Sequence, residues 1–135
     1  MIANRTRKNR QKAQAIVEFA FVLPVLLLML MGIIEFGRIF MAQQTITNAA
    51  REGARIGILP SSTLADVEGT VSTYMNISGL EGPSTITVAN VGPTVQPGAA
   101  TSVTVQYQLP ILTGSIIPGL GQSIALSHAT VMRHE

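Results

Sequence analysis

The chain contains sixteen consecutive residues without a charged side chain, from Phe19 to Ile34. In a helix that rises about 1.5 Å per residue this run covers roughly 24 Å, and extension back to Ala13 gives about 33 Å. Both lengths are close to the ~30 Å hydrocarbon thickness of a bilayer. The sequence therefore predicts a transmembrane helix over about residues 14–36, with one carboxylate, Glu18, near the lipid boundary.

The charge distribution orients this helix. The first twelve residues carry no acidic residue and five basic ones, which are Arg5, Arg7, Lys8, Arg10 and Lys12. Basic residues that flank a span tend to stay in the cytoplasm, so residues 1–13 are predicted to be a basic cytoplasmic leader and the rest of the chain beyond the span to be extracytoplasmic. Because an anionic lipid leaflet accounts for the basic leader, we expect no nucleic-acid partner.

The helical pattern continues beyond the predicted span. Apolar or small residues recur every three or four positions, at Ile39, Ala42, Ile46, Ala49, Gly53 and Ile56. This period predicts one helix from about Ala15 to Gly57, with an extracytoplasmic half over 37–58. The oppositely charged residues spaced three apart are expected on its exposed face; they are Glu35 with Arg38 and Glu52 with Arg55.

Pro24 lies inside the predicted span. Proline lacks the N–H that would bond the carbonyl four residues earlier, so a helix kink is expected there. The kink has two interpretations: it is a harmless bend of the kind that membrane helices tolerate, or it loosens a turn so that subunits can pack around a filament axis.

After Gly57 the pattern changes, and residues 59–135 are predicted to form a small extracytoplasmic α+β head. A short helix is expected after a cap at Thr63 or Ser62, with an apolar side formed by Leu64, Val67, Val71 and Tyr74. Alternating residues rich in Val, Ile and Thr then predict a three-stranded antiparallel sheet. Its strands are expected over Thr85–Val91, Ser102–Leu109 and Ser123–Arg133, and the Pro118-Gly119 pair and Gly121 indicate a turn before the third.

The long helix and the sheet are predicted to pack together. Four alternate residues of the middle strand share an apolar face, namely Val103, Val105, Tyr107 and Leu109. The helix offers a stripe of small residues that a sheet can approach closely, formed by Ala49, Ala50, Gly53, Ala54 and Gly57. Gly53 and Gly57 also form G-x-x-x-G, a helix-dimerisation motif in lipid. Because these glycines lie among charged residues, packing within the chain is the favoured interpretation.

Residues Lys12 to Ile58 closely resemble the opening signature of TadE-like proteins, pseudopilins of the tight adherence (Flp) pilus machinery. The resemblance rests on VEF at 17–19, LP at 23–24, GIIEFGR at 32–38 and AAREGAR at 49–55. It implies a bacterial inner-membrane, prepilin-like protein of lollipop shape, in which the long helix carries the head. It also implies that a prepilin peptidase removes the leader and that the mature subunit acts in pilus assembly.

The resemblance assigns roles to three residues near the start of the span. Family processing places the glutamate fifth in the mature chain, which makes Ala13 the last leader residue and Gln14 the first mature one. The family's leader normally ends in glycine, and the small Ala13 still fits a tight cleavage pocket. Cleavage would create an ammonium at Gln14, and Glu18 is expected to pair with the ammonium of a neighbouring subunit in the membrane. From the residues alone, Glu18 would instead snorkel to the interface.

The sequence offers no constellation that indicates catalysis. There is no cysteine, and the spacing of His128 and His134 is not one used by zinc sites. Both histidines are expected to be solvated or partly packed, and neither a metal nor a cofactor is expected. The chain is therefore not predicted to be an enzyme or to have a small-molecule substrate.

The expected partners follow from this interpretation. They are the lipid bilayer, a prepilin peptidase, the pilus assembly platform, and other pilin-like subunits or the chain itself. Two alternatives stay open: the chain is the principal filament-forming pilin, or it is an extracytoplasmic binding module that uses the helix only as an anchor.

Overall fold

A long helix, α1, extends from Ala3 to Gly57. The computed structural model describes residues 3–115, 119 and 121–134, with side chains from Lys12 onward except that of Ser115. The predicted start at Ala15 is too late. Arg, Lys and Gln favour helix as much as most apolar residues do, but the residues before Ala13 lack the apolar period on which the prediction relied. The side chains of four predicted leader residues lie outside those described: Arg5, Arg7, Lys8 and Arg10.

The chain divides into two compact units, Met1–Phe36 and Gly37–Glu135, and α1 contributes residues to both. The first unit is helical throughout its described residues. The second unit adds a short helix and a sheet to the last 21 residues of α1, from Gly37 to Gly57. The predicted α+β class, with one long apolar helix, one short helix and a three-stranded antiparallel sheet, is confirmed.

The short helix, α2, extends from Leu64 to Ile77 and begins with a capping box at Thr63. The Thr63 hydroxyl accepts the N–H of Asp66 at 3.3 Å, and the Asp66 carboxylate accepts the N–H of Thr63 at 2.9 Å. These two bonds satisfy backbone groups that a helix start leaves unpaired. Of the two predicted caps, Thr63 is therefore correct, and the hydroxyl of Ser62 instead donates to the carbonyl of Leu59 at 2.7 Å.

The predicted apolar side of α2 is correct in part. Its buried residues are Val67, Val71 and Met75, and Tyr74 is half-buried at the edge of the core. Leu64, which was expected to share this side, is exposed. Leu64 is the first residue of the helix, and the core covers α2 only from Val67 onward.

The sheet consists of β1 (Ser84–Ala89), β2 (Ala100–Pro110) and β3 (Ser123–Arg133), in the order β1-β2-β3 with antiparallel neighbours. β1 ends two residues before the prediction, because Asn90 adopts φ +60°, in the left-handed region, which interrupts an extended strand. A 3-10 turn at Thr113–Ser115 lies between β2 and β3. Gly119 has φ +99°, as expected for a turn, whereas Pro118 lies outside the described residues.

The core of the second unit lies between the two helices and one face of the sheet. On β2 the residues alternate as predicted: Val103, Val105, Tyr107 and Leu109 are buried, whereas Gln106 and Gln108 are exposed. The hydroxyl of Tyr107 reaches the edge of this core and donates to the carbonyl of Glu81 at 2.9 Å. The opposite face of the sheet is left to solvent, as is common for antiparallel sheets.

Candidate functional site

The first unit exposes an apolar surface that a water-soluble domain would bury. Of the described residues, α1 from Lys12 onward forms the helix that is long and apolar enough to cross a membrane, and its most apolar segment has no buried residue. Phe21, for example, is 76% exposed. Exposed apolar patches of this extent mark contacts with lipid or with other proteins. The single apolar helix is consistent with membrane anchoring.

Gln14 and Glu18, two of the predicted site residues, are in contact on the first unit. The side-chain amide of Gln14 donates to the Glu18 carboxylate, with 3.2 Å between Nε2 and Oε1. Both side chains are exposed, and they lie one helical turn apart. Ala13 precedes them within the same helix, so the predicted cleavage bond between Ala13 and Gln14 lies in helical backbone. Pro24 also lies inside α1, and its predicted kink remains a prediction.

Glu35 differs from the sequence expectation. The prediction placed Glu35 with Arg38 on a solvent-exposed face, but Glu35 is only 7% exposed and Arg38 is half-buried. Both residues have interaction partners. Spacing along a helix predicts which residues share a face, and it cannot predict what covers that face. The Glu52 and Arg55 pair behaves as expected: the Arg55 Nε donates to Glu52 Oε2 at 3.1 Å on the surface.

The small-residue stripe on α1 faces the interior of the second unit. All five of its residues are buried: Ala49, Ala50, Gly53, Ala54 and Gly57. A methyl group added at Gly53 would lie 2.5 Å from Val71 Cγ2 and 3.4 Å from Val103 Cγ1. One added at Gly57 would lie 2.9 Å from Thr101 Cγ2. Both glycines are thus in close contact with α2 or the sheet of the same chain.

A buried polar chain joins the end of β3 to the start of β2, and sequence reasoning missed it. His134 is 8% exposed, and its Nε2 lies 2.6 Å from the Thr101 hydroxyl oxygen. That hydroxyl donates its proton to the carbonyl of Asn90 at 2.7 Å. A hydroxyl has a single proton to donate, so the His134 Nε2–H must be the donor to Thr101. The sequence predicted that His134 is either solvated or partly packed. Because His134 is buried, the prediction of a solvated side chain is wrong.

No signal at the level of spacing could have found this chain of hydrogen bonds, because its members lie 33 and 11 residues apart. Within residues 12–114, 119 and 121–134 there is no group of three or more His, Asp or Glu side chains that could hold a metal ion. Three features of the described residues are therefore candidates for a functional role. They are the apolar helix, the Gln14 and Glu18 pair, and the packing surface of small residues.

Comparison with known proteins gives a match within the long helix α1. Residues 13–55 match the model of the family described as TadE-like protein. No curated protein and no solved structure matches the chain. The matched segment begins at the predicted last leader residue, includes the whole exposed apolar part of α1, and ends at Arg55, within the packing stripe. Over residues 13–55, the resemblance of this chain to TadE-like proteins is confirmed.

Proposed function

We propose that the chain is a membrane-anchored, TadE-like pseudopilin that takes part in assembling or priming a tight adherence pilus. The observation that carries the proposal is the family match over residues 13–55, which coincides with the exposed apolar helix. A helix that exposes this much apolar surface requires lipid or neighbouring helices around it. A pilus-assembly subunit meets both at different stages, first the bilayer and then its siblings.

The proposed orientation places residues 1–13 in the cytoplasm and the sheet outside the bacterial inner membrane. Five basic residues in the leader support this orientation through the positive-inside tendency. The partners that follow are the bilayer, a prepilin peptidase, the assembly platform and other pilin-like subunits. The role is structural rather than catalytic.

Leader removal gives Glu18 its proposed function. Peptidases bind their substrates as extended peptide, so the helical turn around Ala13 and Gln14 must open for cleavage. Glu18 already has a polar partner, the Gln14 side chain, at an exposed position where it can exchange partners. A new ammonium at Gln14 of a neighbouring subunit is a stronger partner than a neutral amide, because it adds the attraction between two opposite charges to the hydrogen bond.

Glu18→Leu tests the proposed role in assembly. In a strain that lacks the native chain, we expect the variant to insert into the membrane normally and to leave the cells with few or no surface pili. The measurement is electron microscopy of sheared surface fibres, alongside membrane fractionation. Glu52→Gln is the matched control, since Glu52 is on the surface of the second unit, and it should retain pili. Pili at wild-type number in the Glu18→Leu strain would overturn the proposal.

Intact mass tests the proposed processing separately. The chain extracted from membranes of a strain with its prepilin peptidase should lack residues 1–13 and begin at Gln14. Ala13→Leu should block this cleavage, because a bulky side chain replaces a small one, whereas Ala13→Gly should retain it. A full-length mass for the natural chain would contradict leader removal while leaving membrane anchoring intact.

A further inference from the structure

The second unit has two different ends along its segment of α1. At the end where α1 stops, a methyl group on Gly57 would lie 2.9 Å from Thr101 Cγ2 and 3.5 Å from Val67 Cγ2. The starts of β2 and α2 therefore lie there. At the other end, Met41 of α1, Leu80 after α2 and Pro110 at the end of β2 line one cavity. We call this second end the base, and it comprises residues 38–42, 77–81 and 109–114.

Charged side chains are concentrated away from the base. Among the described residues from 37 onward, the base contains two charged side chains, Arg38 and Glu81. The others lie on the second half of the α1 segment, on the first half of α2 and at the end of β3, next to the start of β2. They are Arg51, Glu52, Arg55, Asp66, Glu68 and Arg133.

Large apolar side chains are exposed at the base. They are Phe40, which is 59% exposed, Met41 at 68%, Ile77 at 83% and Leu112 at 45%. The opposite end also exposes apolar side chains, but these lie among the six charged residues; they are Leu59, Leu64 and Val131. An exposed surface that is both apolar and nearly free of charge marks a contact with lipid or with another protein.

The path of α1 indicates which of these two covers the base. The segment of α1 in the second unit begins at Gly37, so the chain enters this unit beside the base. The residues of α1 that precede this point are also apolar and exposed, among them Ile33, Ile34 and Phe36. The exposed apolar surface of the helix thus continues along the chain from the predicted span to Met41, which favours lipid.

We propose that the base of the second unit lies in the interfacial layer of the extracytoplasmic leaflet, so that lipid contact extends beyond the predicted span to Met41, Ile77 and Leu112. The inference rests on the proposed membrane anchoring and orientation. It adds a second lipid-contacting surface, which the folded unit forms from three separate parts of the chain.

The charged groups near this surface are compatible with an interfacial position. The apolar stem of Arg38 can lie along the base while its guanidinium reaches the lipid phosphates. Glu35 is only 7% exposed and has an interaction partner, so it does not present its carboxylate to lipid. Because Arg38 and Glu81 leave the base without net charge, the contact should depend on apolar burial rather than on lipid charge.

Nitroxide labelling of single cysteines tests this position, since the natural chain has no cysteine. The full chain is reconstituted in vesicles of phosphatidylethanolamine and phosphatidylglycerol. The measurement is the ratio of nitroxide collisions with oxygen, which concentrates in lipid, to collisions with a water-soluble nickel chelate. Leu112→Cys reports the base, and Leu59→Cys, at the opposite end, is the matched control because Leu59 is 47% exposed. The ratio at position 112 should be about fivefold that at position 59.

Leu27→Cys, midway along the apolar run, separates this inference from the anchoring on which it rests. A high ratio at position 27 with equal ratios at 112 and 59 would overturn the inference and leave anchoring intact. A low ratio at position 27 would overturn the anchoring and the inference together. Few collisions with either reagent at position 112 would mean that a second copy or another protein covers the base, which would also overturn the inference.

Phe40→Asp tests whether the exposed apolar side chains hold the base in the lipid. In the Leu112→Cys background the ratio should fall about twofold or more, because a carboxylate is costly to remove from water. Leu64→Asp, at an exposed position of the opposite end, is the control and should leave the ratio unchanged. Raised salt should also leave it unchanged, since salt screens charges and not apolar contacts. An unaltered ratio in Phe40→Asp would contradict the proposal.

Discussion

Two residues in the second unit show how single atoms determine the packing there. The hydrogen of Gly53 occupies a place where a methyl group would lie 2.5 Å from Val71 Cγ2. The hydroxyl of Thr101 connects two partners that are distant in sequence, the Asn90 carbonyl and the His134 ring. Gly53 belongs to a stripe that the sequence indicates, whereas the Thr101 connection becomes apparent only when the sheet is assembled.

Gly53→Ala should destabilise the second unit by about 1–3 kcal/mol, the usual cost of overpacking. Val71 is fully buried and β-branched, so its methyl group cannot easily rotate away from the new one. Tyrosine fluorescence during urea unfolding measures the effect, since both tyrosines, Tyr74 and Tyr107, lie in this unit. Gly69→Ala is the control, because a Cβ at Gly69 meets nothing within 4 Å. It should be neutral or stabilising, and an equal loss in both variants would contradict the close packing.

Thr101→Val should lower the free energy of unfolding by about 1–3 kcal/mol, since it removes the partner of the Asn90 carbonyl and leaves the buried His134 ring N–H without one. The substitution preserves side-chain shape, so the loss reports the hydroxyl. Thr104→Val, on the solvent face of the same strand, should change stability by less than about 0.5 kcal/mol. If the two variants unfold at the same urea concentration, the buried hydrogen-bond chain does not contribute to stability.

At the level of elements, the type of each helix and strand could be predicted, and the errors are at their ends. β1 was predicted to continue to Val91, but Asn90 ends it because its backbone turns into the left-handed region. α1 begins before the prediction, since a polar helix has no apolar period to detect. The end of a helix is easier to predict where a side chain forms the capping hydrogen bond, as Thr63 does at the start of α2.

Thr63→Ala should destabilise α2 by about 1 kcal/mol through loss of the N-cap. The capping box should also respond to pH. Hydrogen bonds from the Thr63 hydroxyl and backbone N–H lower the pKa of the Asp66 carboxyl. A lowered folded pKa means that the stabilisation is present above the ordinary aspartate value and is lost as the pH falls through the lower, folded one.

Urea unfolding between pH 7 and pH 2, read by tyrosine fluorescence, measures this linkage. Asp66→Asn should be less stable than the natural chain at neutral pH and should lose less of its stability on acidification. Glu81→Gln, at an exposed position outside the helices and strands, is the control and should retain the natural acid response. An acid response in Asp66→Asn as steep as that of the natural chain would show that the capping carboxylate does not contribute.

For the whole molecule, the sequence predicted the class of fold and the segment that carries the family resemblance. The uncharged run consists of residues that are consecutive in the sequence, so its length can be counted directly. The burial of Glu35 and of His134 depends on what the folded chain brings over them, and no local pattern records that. The proposed roles of Ala13, Gln14 and Glu18 derive from the family, because their physical chemistry alone permits snorkelling as well as pairing.

In the proposed topology, α1 crosses the lipid once and the sheet lies outside. Labelling of single cysteines with a membrane-impermeant maleimide in spheroplasts tests it most directly. Thr73→Cys, on the exposed side of α2, should label at once, whereas Leu27→Cys, midway along the apolar run, should stay unlabelled until detergent is added. Rapid labelling of Leu27→Cys without detergent, or protection of Thr73→Cys in spheroplasts, would contradict the account.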